Sequence, residues 1–358
     1  MNDSAPAALR ISIRLPHSRC LASVDAVLAV AAAAERLGFW GVSAEDHVLA
    51  DPRTCPEAEP SQGRTFLEPL QLLALLAGRT ERVRLITGVL QLPYRHPVLL
   101  AKETMTLDTI SHGRLVLGVG VGALRGRRTA EGVDLVSNAS IAAREYDAFG
   151  ITGHRGRMTD EYIDALKAIW TDERASFHGT YVAFDGIDMY PRPVQLPRPP
   201  IWIGGRSEAA HRRVAFQADG WYPSQTSADM LAEGRRRIEA LSVEAGREVG
   251  DFGPCNEFYI RSDDAEARAT MRRYYRFHFT SDEAMFAQTF AGSPARIVEQ
   301  LGRLREAGAT FVDLRPLGVS LANVLEQLEI LAAEVVPALA GVMTSAEAAA
   351  PEATATEA

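Results

Sequence analysis

Three groups of residues in this chain are of types and spacings that do chemistry. Glu45-Asp46-His47 sets two carboxylates beside an imidazole, a combination able to hold, give or accept a proton near neutral pH. Gly204-Gly205-Arg206-Ser207 opens a helical pattern. Free backbone N–H groups, the positive end of the helix, a guanidinium and a hydroxyl coincide there, and together they suit a phosphate. The plainer alternative is that Ser207 only caps the helix. Gly88, and Gly118, Gly120 and Gly122, stand at the ends of apolar runs, where bare backbone lets a flat ligand approach more closely than side chains allow. Other chemistries lack their residues. None of the eight histidines has the His-x-His spacing of a metal-dependent barrel hydrolase. The two lysines, Lys102 and Lys167, fall in helical segments, whereas a Schiff base needs a lysine at a strand end. Counting carboxylates does not decide for or against glycoside cleavage.

Elements must bring these groups together. The glycine-ended runs belong to one β-α-β unit, Arg82 to Gly122, in which strands Val83–Val89 and Leu115–Val119 flank a helix from Val98 to Ile110. Upstream, strand Ile11–Leu15, helix Leu21–Leu37 and strand Phe39–Ala44 lead into Glu45-Asp46-His47. Downstream come a hairpin over Ala175–Asp185, strand Ile201–Ile203, and further strands at Asp219–Trp221, Cys255–Arg261 and Thr310–Leu314, with helices between them. Ser293 is expected to cap the helix that Pro294 opens. Strict alternation without a Gly-x-Gly-x-x-Gly after the first strand predicts an α/β fold of the (β/α)8 TIM-barrel type rather than an open dinucleotide-binding sheet. In such a barrel the C-terminal strand ends converge, so the three groups fall in one site. Residues 1–340 are expected to form one barrel domain with insertions near 50–65 and 123–158. The tail 341–358, rich in Ala, Thr and Glu, is expected to be disordered.

Composition narrows the class. With 358 residues, 47% hydrophobic and 23% charged, the chain can bury a large core. A formal charge of −8 argues against nucleic acid as a partner. Cys20, Cys55 and Cys255 are isolated and predict free thiols in a reducing compartment. Three arginines before the apolar run Leu21–Ala34 imitate a signal peptide, but Asp25 interrupts that run and a strand pattern precedes it. No apolar run reaches the ~20 residues of a membrane span. A cytoplasmic protein without membrane contact is expected.

Four blocks carry a resemblance: LGFWGVSAEDHV (37–48), RVRLITGVLQLPYRHPVLLAKETMTLDTISHGRLVLGVGVG (82–122), RPVQLPRPPIWIGGRSEAAHRRVAFQADGWYP (192–223) and GSPARIVEQLGRLREAGATFVDL (292–314). In them the chain resembles the bacterial luciferase-like monooxygenase family, and within it the coenzyme F420-dependent oxidoreductases. The resemblance implies a barrel with insertions, a homodimer or higher oligomer, and a small-molecule substrate. It implies a non-prolyl cis peptide at Gly88–Val89 against the deazaflavin ring, Asp46 and His47 near the ring's reactive edge, and Gly204, Gly205, Arg206 and Ser207 at the cofactor phosphate. His47 is then the group that polarises the substrate or exchanges its proton. Asp46 orients the loop or supports the histidine, since neighbours on an extended strand point opposite ways. The alternatives are an FMN-dependent monooxygenase fed by a separate flavin reductase, and a non-catalytic flavin-binding protein. Two departures concern the substrate pocket. Ala123 takes the place of an aromatic residue, and the acidic helix equivalent, 143–150, is displaced by about twenty residues. The insertions and the aromatic segment Tyr274–Phe279 are the expected lids.

Overall fold

Each apolar run is followed by a helix long enough to return the chain to the same end of the molecule, and such crossovers make the runs pair in parallel. The computed structural model describes residues 8–18, 21–49, 65–122, 128–129, 132–133, 138–275, 279–318 and 320–340. Outside them lie Cys20, Cys55, Ala123, residues 50–64 of the first expected insertion, parts of the second, residues 276–278 and the tail 341–358.

In chain order the elements are β1 (Arg10–Arg14), α1 (Val24–Arg36), β2 (Gly41–Ala44), α2 (Pro69–Ala77), β3 (Arg84–Thr87), β4 (Leu90–Gln91), α3 (Pro97–Ile110) and β5 (Leu115–Gly120). The second insertion holds β6 (Arg128–Thr129), β7 (Gly132–Val133) and α4 (Asn138–Ala148). Then come α5 (Arg155–Thr171), the hairpin β8 (Ala175–His178) and β9 (Ala183–Ile187), β10 (Ile201–Ile203), α6 (Glu208–Gln217), β11 (Gly220–Trp221) and α7 (Ala228–Ala245). The chain continues with β12 (Asp251–Phe252), β13 (Cys255–Ile260), α8 (Asp264–Tyr275), α9 (Asp282–Gln288), β14 (Phe290–Gly292), α10 (Pro294–Glu306), β15 (Phe311–Pro316) and α11 (Leu321–Ile330).

The strands β1, β2, β3, β5, β10 and β11 are parallel neighbours in that order, while β15 pairs with β1 and β13 with β15. A parallel bridge between Ser224 and Cys255 closes the ring between β11 and the strand formed by β12 and β13. With β3 and β4 counted as one interrupted strand, this is the expected (β/α)8 barrel. Every residue of β5 and β13 is buried, as strands covered on both faces must be. Serines 23, 207, 227 and 320 cap α1, α6, α7 and α11, each accepting from a backbone N–H three residues on. Ser293 departs from expectation: Pro294 does open α10, but Ser293 makes no side-chain cap, and its N–H donates to Asp264 at 2.6 Å.

Inside the barrel, Trp202 stacks on Phe311 at 4.1 Å between centroids and on Trp40 at 5.8 Å. These rings, with Ile86 and Val116, fill one level of the barrel interior. The next level is polar: Ser12, Arg14, Ser43 and Asp313 are all buried on β1, β2 and β15. The expected strand Val83–Val89 stops at Thr87 and resumes at Leu90, and the Gly88–Val89 peptide between them is cis. Among the elements missing from the sequence reading, β12 has two residues and α9 seven, too short for periodicity to show.

Candidate active site

At the strand ends lies a cavity of about 290 Å³. Its floor is an ionic network that no local motif announces. Arg14, at the end of β1, donates to Ser43 Oγ (3.2 Å), Glu45 Oε2 (3.2 Å), Tyr222 Oη (3.0 Å) and Asp313 Oδ2 (3.0 Å). Tyr222 in turn donates a short hydrogen bond to Asp313, and Ser43 donates to the same oxygen at 2.7 Å. Arg315, near the end of β15, donates to both oxygens of Glu45, at 2.6 and 3.4 Å, and to Ser18 at 3.2 Å. Burial, then the Asp313 carboxylate, push the Tyr222 phenol well above its ordinary value, so it stays protonated. His17, beneath Glu45, is fully buried; burial lowers its pKa from 6.5 to about 4, so it is neutral at pH 7.

The loop after β2 places Asp46 and His47 differently. The Asp46 carboxylate receives Arg95 through two bonds, 2.6 and 3.0 Å, and the backbone N–H of Gln91 at 2.9 Å. Arg95 also bonds Glu68 at 2.8 Å. Asp46 therefore ties β2 to the chain leaving β4. His47 Nδ1 lies 3.2 Å from Oε2 of Glu145, a completely buried residue on α4. Glu145 also accepts from the backbone N–H groups of Val48 (2.6 Å) and Leu49 (3.0 Å), from the Tyr94 hydroxyl (3.0 Å) and from Gln91 Nε2 (3.3 Å). Burial opposes the Glu145 charge, but the His47 bond and these amides outweigh it and lower its pKa from 4.5 to about 2. Burial likewise opposes the His47 charge, and Glu145, then Glu45 and Asp46, still raise it above 6.5. Glu145 is the support that the sequence leaves to Asp46. It lies in the displaced acidic segment 143–150, and the helix that carries it is fixed by tertiary contacts: Tyr146 donates to Val121 O at 2.6 Å and packs edge-on against Tyr94.

The glycines divide into two sets. Gly88, Val89, Gly120, Gly122, Gly204 and Gly205 line the cavity with Asp46 and His47. Gly118, Arg206 and Ser207 do not. A Cβ on Gly118 would lie 2.1 Å from the Thr87 carbonyl oxygen, so this glycine serves the approach of β5 to β3. Ser207 caps α6, and Arg206 donates to Gln225 O at 2.7 Å beside a second pocket between α6 and α7. The glycines also have an inner partner: Cβ atoms added at 118, 120 and 204 would sit 3.2, 3.0 and 3.1 Å from the Val89 methyls. They seat the Val89 side chain, and with it the Gly88–Val89 peptide, against the wall.

The cavity fits a flat heteroaromatic cofactor by its lining. One wall is bare backbone, and the buried acceptor Gln91 Oε1 has no hydrogen-bond partner among the described residues. The residues missed from sequence, Arg14, Gln91, Glu145, Tyr222, Glu257, Asp313 and Arg315, come from four strands, the residue after β11 and one inserted helix. The available clue was their place at strand ends.

A family model described as luciferase-like monooxygenase matches residues 7–281. The chain belongs to this family. Among relatives of the luciferase-like chain, an FMNH2-dependent dimethylsulfone monooxygenase of Pseudomonas putida is 33% identical over 199 residues, 55% of this chain and 50% of its own length. An F420-dependent hydroxymycolic acid dehydrogenase of Mycobacterium tuberculosis is 27% identical over 276 residues, 76% of this chain and 68% of its own length. The chain spans about half the length of the curated relatives it matches at 33% identity. Among solved structures, the monooxygenase RslO1 of Streptomyces bottropensis superposes with a TM-score of 0.76 at 21% identity, covering 92% of this chain and 99% of its own. Flavin and F420 users thus both stand among the relatives of this luciferase-like chain. No helix among the described residues is long and apolar enough to cross a membrane.

Proposed function

We propose that this luciferase-like protein is a coenzyme F420-dependent oxidoreductase that exchanges a hydride with a small organic substrate. The observation that carries the proposal is the His47–Glu145 pair at the edge of a cavity walled by the Gly88–Val89 backbone. When bound, the deazaflavin supplies or accepts the hydride. Gly88, Val89, Gly120, Gly122, Gly204 and Gly205 would hold its ring, and Gln91 Oε1 would be available to it as an acceptor. A carbonyl receiving a hydride needs a proton, and an alcohol losing one must release a proton. Glu145 engages Nδ1 of His47 and favours its cationic form, which leaves Nε2 to give or take that proton. Asp46 fixes the loop through Arg95 and Gln91 and so acts as a positioning residue. Arg206 and Ser207 remain the candidate residues for the far, phosphate end of the cofactor, beyond the cavity itself. The enzyme works as a cytoplasmic homodimer or higher oligomer in this proposal.

A second reading has its own support, since the FMNH2-dependent relative is the more similar of the two named, at 33% against 27%. In it the same cavity takes FMN reduced by a separate reductase and the substrate is oxygenated. Separate fluorescence titrations with F420 and FMN distinguish them. Tight F420 binding is expected; tight FMN binding without F420 binding overturns the first reading. His47→Ala should abolish turnover and leave cofactor affinity within a few fold, whereas unchanged turnover removes the role given to His47.

A further inference from the structure

Glu257 is the one carboxylate of the cavity that the network leaves unmatched among the described residues. Arg14 is shared between Glu45 and Asp313, Arg315 pairs with Glu45, Asp46 has Arg95, and Glu145 has His47. Glu257 lies directly across the strand pair from Arg315, in register between β13 and β15, yet that guanidinium donates to Glu45 and Ser18. The Glu257 side chain lines the cavity and is 6% exposed, and its Oε2 has no hydrogen-bond partner among the described residues. A buried carboxylate oxygen without a donor is costly, so a sequence that keeps one at a ligand cavity leaves it for the ligand.

The ring order says which ligand. In the closed ring of eight, β3–β4 and β12–β13 are four places apart, so the Gly88–Val89 wall and Glu257 face each other across the cavity. A flat ring laid on that wall turns its free face toward Glu257, and that face is where a substrate must sit to exchange a hydride. We propose that Glu257 is the substrate-recognition residue and that it selects a small organic cation, an ammonium or amidinium compound. The assignment rests on the proposed function for which side of the ring is free. The charge argument for a cation stands apart from it.

The test uses the purified full chain loaded with whichever of F420 and FMN it binds. Butylammonium, 1-butanol and butyrate, similar in shape, are titrated by the change in cofactor absorbance, and in parallel by thermal shift on the cofactor-free protein. Butylammonium is expected to bind at least tenfold more tightly than 1-butanol, and butyrate not at all. In Glu257→Gln the preference for the cation should vanish while cofactor affinity stays within a few fold, and Glu257→Asp should restore part of it. Equal binding of the three probes, or a preference that survives Glu257→Gln, overturns the proposal. A Glu257→Gln protein that loses cofactor affinity tenfold instead shows the carboxylate serving the cofactor, which overturns it too. If neither F420 nor FMN binds, the oxidoreductase reading fails by itself, and the thermal-shift series still decides whether Glu257 selects a cation. Should Glu257→Gln not fold, the three-probe series on the unaltered chain decides alone.

Discussion

Replacing Glu145 by Gln tests whether α4 is held to the barrel by one charge. The side chain keeps its shape but loses the negative charge that accepts from His47, Val48, Leu49, Tyr94 and Gln91. A fully buried carboxyl lowered from 4.5 to about 2 contributes roughly 3 kcal/mol to stability at neutral pH. The folded pKa is depressed, so this contribution is complete above pH 4.5 and disappears as pH falls toward 2. The partner works in the opposite sense: His47 is raised, so its share is complete below 6.5 and is lost as pH rises through its folded value. Glu145→Gln is therefore expected to lose up to roughly 3 kcal/mol at pH 7 and to show a flatter stability profile between pH 4.5 and 2. The amide nitrogen must also face either two backbone N–H groups or the Gln91 amide, so one donor is left unmatched. Urea unfolding at a series of pH values measures the loss, and NMR titration of His47 follows its pKa, which should fall in the variant. A variant within about 0.5 kcal/mol of the parent at pH 7, the ordinary range of surface substitutions, would refute the charge-clamp account.

Three other perturbations have defined outcomes. Arg14→Met removes the cation between Glu45, Tyr222 and Asp313 and leaves the buried Asp313 carboxylate without its ion pair; a loss of about 3–5 kcal/mol is expected in chemical denaturation, and near-neutral stability would show the network to be dispensable. Gly118→Ala drives a methyl to 2.1 Å from the Thr87 carbonyl and should lower the thermal midpoint even without cofactor; a variant of parental stability with weakened cofactor binding would instead place Gly118 at the ligand. Burial holds His17 neutral down to about pH 4, so the unfolded chain takes up its proton first and stability is lost as pH falls from 6.5 toward 4. His17→Gln should flatten that part of the stability profile, and an unchanged slope there would assign the acid sensitivity elsewhere.

Sequence by itself determined the barrel and the wall. Alternation of apolar strands with amphipathic helices is written locally, residue by residue, and parallel pairing follows because every crossover is long. The Gly88–Val89 position and the glycines of β5 and of the segment after β10 were likewise legible, since glycine marks close backbone approach wherever it occurs. What those glycines touch was not legible: Gly118 answers to Thr87, and Gly120 and Gly204 answer to Val89, contacts that exist only once three strands lie side by side. Asp46 and His47 were found together by adjacency, but tertiary structure separated their work, giving one to Arg95 and the other to Glu145, 98 residues away. Arg14, Glu45, Tyr222, Asp313 and Arg315 meet because a closed ring makes first and last strands neighbours, as the β1–β15 pairing shows. Charge compensation between residues some 300 positions apart leaves no local pattern, and the unmatched charge of Glu257 becomes visible only when every other carboxylate of the cavity has found its partner.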